Sequence, residues 1–176
     1  MRTVIFAAAV LLATPAAAEV QSRSDNGFTL SFTQRVAAGP DAIYDRIGRI
    51  SQWWSAEHSY SGQASALSLE LKPGGCWCEV LPGGGVKHAE VLLAWPERRM
   101  LRLDAPFGPL QDTASFAQLT MTWREAEGGG ARNLVWTYKV EGTGTGRFAD
   151  AVHGVMETQF KRLAGQLNAA GSGGMQ

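Results

Sequence analysis

The amino-acid sequence predicts an α+β fold, in which a curved antiparallel sheet of about seven strands wraps around one long C-terminal helix. Three observations support this prediction. Apolar and polar side chains alternate along much of the chain, glycine and proline separate the alternating segments, and the last apolar residues recur at helical spacing. In such a fold, a ligand would occupy the space between the sheet and the helix.

Alternation with a period of two residues defines the predicted strands. The first strand covers residues 27–36, where Phe28, Leu30 and Phe32 share one face. The later strands are predicted at 67–71, 76–81, 85–95, 98–103, 115–124 and 132–140. Glycine and proline between these segments supply the turns of an antiparallel sheet.

Helical spacing predicts two short helices after the first strand and one long helix at the end. The first begins at Pro40 and ends at Gly48, and the second contains Trp53 and Trp54. The long helix has one apolar face, formed by Phe148, Val152, Val155, Phe160, Leu163 and Leu167. Charged residues lie mostly elsewhere on this helix, so we expect it to rest on an apolar surface.

The N-terminus has the pattern of a cleavable export signal. Arg2 precedes a short apolar run, and Ala16 and Ala18 supply the small residues before a cleavage site. The run falls short of the roughly 20 residues that span a bilayer. We therefore predict a signal peptide at 1–18, a single domain at 19–170, a flexible tail at 171–176, and a periplasmic or secreted location.

The charge balance restricts the partners. The chain has 16 Lys and Arg against 16 Asp and Glu, so it has no overall basic field to attract nucleic acid or anionic lipid. No second long apolar run follows the signal. We expect no nucleic-acid partner and no membrane insertion after signal cleavage.

Four segments, taken in order, carry a family resemblance: Trp53–Gly62, Gly74–Glu79, Gly83–His88 and Gly108–Gln111. Together they resemble an exported bacterial member of the SRPBCC superfamily. That superfamily has the helix-grip fold and includes START lipid-binding domains, polyketide cyclases, the birch-pollen allergen type and proteins that resemble activators of a heat-shock ATPase.

The resemblance implies a deep, mostly apolar cavity between the sheet and the C-terminal helix. Many members bind hydrophobic small molecules in that cavity, and a few turn them over. The co-chaperone activity is not expected here, because its partner is cytosolic and this chain carries an export signal.

Two cysteines and a histidine flank the predicted turn around Gly83. A hairpin centred on Gly83 would place Cys78 opposite His88 and Cys76 opposite Glu90, on one face of the sheet. Three interpretations stay open: Cys78 as a nucleophile activated by His88, a zinc site formed by both cysteines and the histidine, or simple packing. His58 is a further candidate ligand if its segment folds over the sheet. We expect two shielded thiols rather than a disulfide. The Cα atoms of residues two apart on a flat strand are about 6.5 Å apart, which is near the limit for an unstrained bridge.

Aromatic residues and a third histidine complete the predicted ligand site. Trp53, Trp54 and Tyr60 are expected to border the cavity mouth. On the last helix, His153 lies at the flank of the apolar face, near Met156 and Phe160. Two acidic residues of this region, Glu57 and Glu79, are expected to be solvated, and the glycine runs are expected to be turns rather than phosphate loops.

The sequence favours binding of a small hydrophobic molecule, such as a lipid, an isoprenoid or an aromatic metabolite, without a cofactor. Two alternatives stay open. One is a cyclase- or hydrolase-type enzyme that uses His88 or His153 as a base together with Cys78. The other is a protein-interaction module for an exported partner.

Overall fold

The computed structural model describes residues 17–172. Most of the predicted signal peptide, residues 1–16, and the last four residues of the predicted tail therefore lie outside the described residues. The chain forms eight strands, β1 to β8, at Ala17–Ser24, Gly27–Val36, Leu67–Leu69, Cys76–Leu81, Gly84–Trp95, Met100–Asp104, Phe116–Glu125 and Arg132–Glu141. Its helices α1 to α3 cover Pro40–Gly48, Ile50–Trp53 and Ala149–Ser172.

All eight strands form one antiparallel sheet in the order β1-β2-β8-β7-β6-β5-β4-β3, and α3 packs against it. The predicted α+β class, with a curved sheet and a long C-terminal helix, is confirmed. None of the helices within residues 17–172 is both long and apolar enough to cross a bilayer.

The strand β1 was absent from the sequence prediction. It extends the sheet by pairing with β2, from Ala17 opposite Thr33 to Ser24 opposite Gly27. Its sequence lacks a clear alternation, because Val20 is the one large apolar residue in it. Edge strands of this kind give a weak periodic signal, since they bury little surface.

The β4–β5 hairpin differs from the predicted register by one residue near the turn. Leu81 pairs with Gly84, so the turn has two residues and Cys78 lies opposite Lys87 instead of His88. A bulge between Trp77 and Cys78 restores the predicted register beyond it, where Cys76 pairs with Glu90. Because a one-residue change reverses the side-chain faces, His88 points to the interior and the cysteines do not.

Aromatic rings fill most of the space between the sheet and α3. The ring of Trp136 lies 5.8 Å from that of Trp53 and 5.4 Å from that of Phe160, measured between centroids. Trp53 is 6.1 Å from Trp77, and all four side chains are buried. The interior is therefore a packed core in this region, and an open cleft lies towards one end of α3.

Candidate functional site

An apolar cleft of about 390 Å³ opens between the first half of α3, the segment after α2 and the loop between β6 and β7. Most of the side chains that form it are hydrocarbon or aromatic, and a few polar groups lie among them. The lining consists of Trp54, His58, Ser59, Tyr60, His88, Phe107, Gly108, Pro109, Phe148, Ala151, Val152, Val155 and Met156.

Hydrogen bonds hold the segment after α2 against α3. The Trp54 indole Nε1 donates to the backbone oxygen of His58 at 2.8 Å, which closes the segment into a compact turn. The Ser55 backbone N–H donates to the buried Gln159 Oε1 at 2.7 Å. Arg162 Nε donates to the Trp53 carbonyl at 2.7 Å. This wall of the cleft is therefore fixed to the helix that forms the opposite wall.

Aromatic contacts form the inner wall. Trp54 meets Trp77 edge to face at 4.8 Å between centroids, and Phe107 lies 5.1 Å from Trp77. Beneath the loop that carries Phe107, the Tyr138 hydroxyl donates to the Ala105 carbonyl at 2.5 Å. Burial raises the pKa of Tyr138, so its hydroxyl stays protonated and continues to donate.

A buried acid and a histidine lie at the floor of the cleft. His88 Nε2 is 2.8 Å from Glu79 Oε2, and the two side chains are 8% and 0% exposed. Glu79 also accepts hydrogen bonds from the backbone N–H groups of Tyr60, at 3.1 Å, and Ser61, at 2.5 Å. Burial alone would raise the pKa of Glu79, but the hydrogen bonds from Ser61, Tyr60 and His88 outweigh it and lower the pKa to about 2. Glu79 is thus a carboxylate at neutral pH.

The structure brings five of the predicted site residues together around the cleft: Trp54, His58, Tyr60, His88 and Met156. Trp53 and Phe160 belong to the packed core instead. His153 lies beside Phe32, with ring centroids 5.3 Å apart, and does not line the cleft.

The cysteines lie on the other face of the sheet. Cys76 and Cys78 form a disulfide, so the expectation of two shielded thiols was wrong. Their Cα atoms are 5.3 Å apart, closer than on a flat strand and within the usual range for a bridge, at the point where the bulge interrupts the ladder. Cys76, Cys78 and His88 therefore do not form a zinc site or a nucleophile–base pair, and no cluster of three metal-ligating side chains occurs within residues 17–172.

Glu79 and several apolar residues were missed as site residues. Glu79 was expected to be solvated, yet it is 1% exposed. The period of two residues offered a signal, because Glu79 shares a strand face with the buried Trp77. Phe107 lies in a loop, where periodicity carries no information, whereas Val152 and Val155 belong to the predicted apolar face of α3.

Comparisons with known proteins connect the chain to solved structures only. No family model and no curated protein matches it. A protein from Nitrosospira multiformis has a TM-score of 0.60 at 10% identity, with coverage of 82% of this chain and 99% of that one. A Rhodobacter sphaeroides protein scores 0.57 at 19% identity, with coverage of 89% and 99%. CalU16 from Micromonospora echinospora scores 0.56 at 14% identity, with coverage of 86% and 83%. At these identities the likeness shows the fold.

Proposed function

We propose that this protein binds a small, largely apolar molecule, such as a lipid, an isoprenoid or an aromatic metabolite, in the cleft beside α3. The observation that carries the proposal is the cleft itself. It has a volume of about 390 Å³ and a mostly apolar lining with a few polar groups, which is typical of a ligand site. Burying about 200 Å² of apolar ligand surface would contribute roughly 5 kcal/mol.

The proposal includes membership of the SRPBCC superfamily. It rests on the four motif segments named above together with the sheet-and-helix fold that the chain shares with CalU16. Three motif segments contribute directly to the cleft. The segment from Trp54 to Tyr60 forms one wall, His88 forms the floor, and Gly108 and Pro109 also line it. The enzyme alternative loses its proposed nucleophile, because Cys78 is bonded to Cys76 on the opposite face.

The proposal also places the protein in the periplasm or outside the cell. The signal-like N-terminus supports this location, and so does the Cys76–Cys78 disulfide, because disulfides persist in oxidising compartments. N-terminal sequencing of the exported protein tests this location, because cleavage of the signal peptide after Ala18 would leave Glu19 as the first residue.

Extraction of the freshly purified protein, followed by mass spectrometry, tests the binding proposal. We expect an apolar molecule in stoichiometric amount from the wild type. Ala151→Trp should lose it, because Ala151 lines the cleft and an indole there fills the mouth. Ala170→Trp is the matched control, since Ala170 is an exposed residue near the other end of the same helix.

Two results would contradict the proposal. One is a wild-type protein that is repeatedly empty and takes up no apolar compound from a membrane extract. The other is equal recovery of the same compound from Ala151→Trp and Ala170→Trp, because binding would then occur outside the cleft.

A further inference from the structure

We propose that Glu79 and His88 form an anchoring pair that selects apolar ligands carrying a hydroxyl group, with His88 Nδ1 accepting the hydrogen bond from that hydroxyl. His88 is the group that touches the ligand, and Glu79 is a positioning residue that acts through it. This inference rests on the proposed binding function and specifies the chemistry of the ligand.

The protonation pattern of the pair follows from the geometry. An ionised carboxylate can only accept hydrogen bonds, so the contact of 2.8 Å requires His88 Nε2 to carry the proton and donate it to Glu79. In a neutral imidazole, protonation of one ring nitrogen leaves the other as an acceptor. Glu79 thus fixes the orientation of the ring and, in the neutral imidazole, the tautomer in which Nδ1 accepts.

His88 Nδ1 is available to a ligand. Within residues 17–172 it has no hydrogen-bond partner, and it is not among the polar atoms that are fully enclosed without one. The side chain is 8% exposed and lines the cleft, with the Tyr60 ring 5.7 Å away. A nearly buried acceptor that borders an apolar cleft has little access to water, so a ligand hydroxyl would satisfy it.

The neighbouring polar groups of the cleft are less suited to this task. Ser59 Oγ donates to the Ala56 carbonyl at 2.7 Å, and Trp54 Nε1 donates to the His58 carbonyl. The side chains of His58 and Tyr60 are exposed at the mouth, where water competes for their hydrogen bonds. His88 is therefore the side chain best placed to discriminate between ligands at the floor.

A pair of probes of nearly equal shape tests the inference: 2-naphthol, which has a hydroxyl donor, and 2-methoxynaphthalene, which lacks it. Binding is measured by quenching of tryptophan fluorescence and by calorimetry. We expect the wild type to bind 2-naphthol about tenfold more tightly, because the ether leaves the acceptor unpaired. Equal affinities would overturn the anchoring role and leave the binding cleft in place, whereas failure of both probes to bind would contradict the proposed function as well.

Two variants separate anchoring from simple structural support. In His88→Phe, an aromatic ring remains at the floor of the cleft but the Nδ1 acceptor is gone, so the preference for 2-naphthol should fall to within about twofold. In Glu79→Gln, the amide can donate to His88 Nε2 and move the ring proton to Nδ1, so the preference for 2-naphthol should fall in the same way. An unchanged preference in either folded variant would overturn the inference.

The NMR signals of the His88 ring nitrogens test the protonation of His88 and its contact with the ligand, independently of how well the variants fold. Nitrogen-15 NMR of wild-type His88 should show a protonated Nε2 and an unprotonated Nδ1, with the Nδ1 resonance moving on addition of 2-naphthol and staying in place with 2-methoxynaphthalene. A protonated Nδ1 in the free protein, or an Nδ1 resonance that both probes move equally, would overturn the proposal.

Discussion

Glu79 connects three parts of the molecule through one carboxylate. It belongs to β4, holds the imidazole of β5 residue His88, and accepts the backbone N–H groups of Tyr60 and Ser61 in the cleft wall. A buried charge is costly unless its lone pairs are satisfied, and these donors supply that compensation. The loop after α2 is consequently ordered at the edge of the cleft by an ionised group.

The pH dependence of stability should report on this residue. The pKa of Glu79 is about 2 in the folded protein, below its ordinary value of 4.5. The carboxylate therefore stabilises the fold above pH 4.5, and this contribution is lost as the pH falls towards 2; the shift corresponds to roughly 3 kcal/mol. Urea unfolding between pH 6 and pH 2 should show the loss in the wild type and a smaller loss in Glu79→Gln.

A second acidic residue provides the control for this pH dependence of unfolding. Glu57 is an exposed acid in the same segment after α2, so Glu57→Gln should retain the acid-dependent loss of the wild type. Equal pH profiles for the wild type and Glu79→Gln would show that Glu79 is not ionised and buried in the way described.

At the level of elements, the two faces of β4 carry different functional groups. Trp77 and Glu79 point into the molecule, whereas Cys76 and Cys78 point outward, beside the ion pair between Lys87 and Glu90. The bulge in β5 adds His88 to the inner face without moving the cysteines there. The disulfide therefore braces an outer surface of the sheet and takes no part in the cleft.

The N-terminus and the disulfide can be examined in one measurement. We expect protein recovered from the periplasmic fraction to begin at Glu19, with an intact mass two hydrogens below the dithiol form. Loss of Ala17 and Ala18 would remove only the first two residues of β1, and the pairs from Glu19 to Ser24 would remain. Retention of residues 1–18, or alkylation of both cysteines without prior reduction, would contradict the proposed location.

Sequence periodicity predicted the strong elements and failed where the signal is local and weak. The strands β2 and β7 and the helix α3 each bury one regular face, so a repeat of two or 3.6 residues identifies them. The strand β1 lacks such a face. The bulge at His88 cannot be inferred from alternation. Because it shifts the register by one residue, the cysteines and His88 lie on opposite faces of the sheet and do not form the predicted cluster.

For the whole molecule, the sequence predicted where a ligand space would be but not its shape. A deep cavity was expected from the family resemblance. The large rings of Trp53, Trp77, Trp136 and Phe160 meet across the interior and occupy that space. How such rings pack depends on tertiary contacts that a linear pattern does not contain. The result is a cleft at one end of α3, with a packed core behind it.

The central claim is that an apolar ligand binds in this cleft, and the most direct test is NMR mapping with 2-methoxynaphthalene. The chain has six tryptophans, and Trp54 lines the cleft whereas the half-exposed Trp95 lies outside it. We predict saturable shifts of the Trp54 indole N–H and of the Val152 and Val155 methyl groups, with Trp95 unchanged. Shifts at Trp95 without shifts at Trp54, or no saturable shift at any of these groups, would contradict the account.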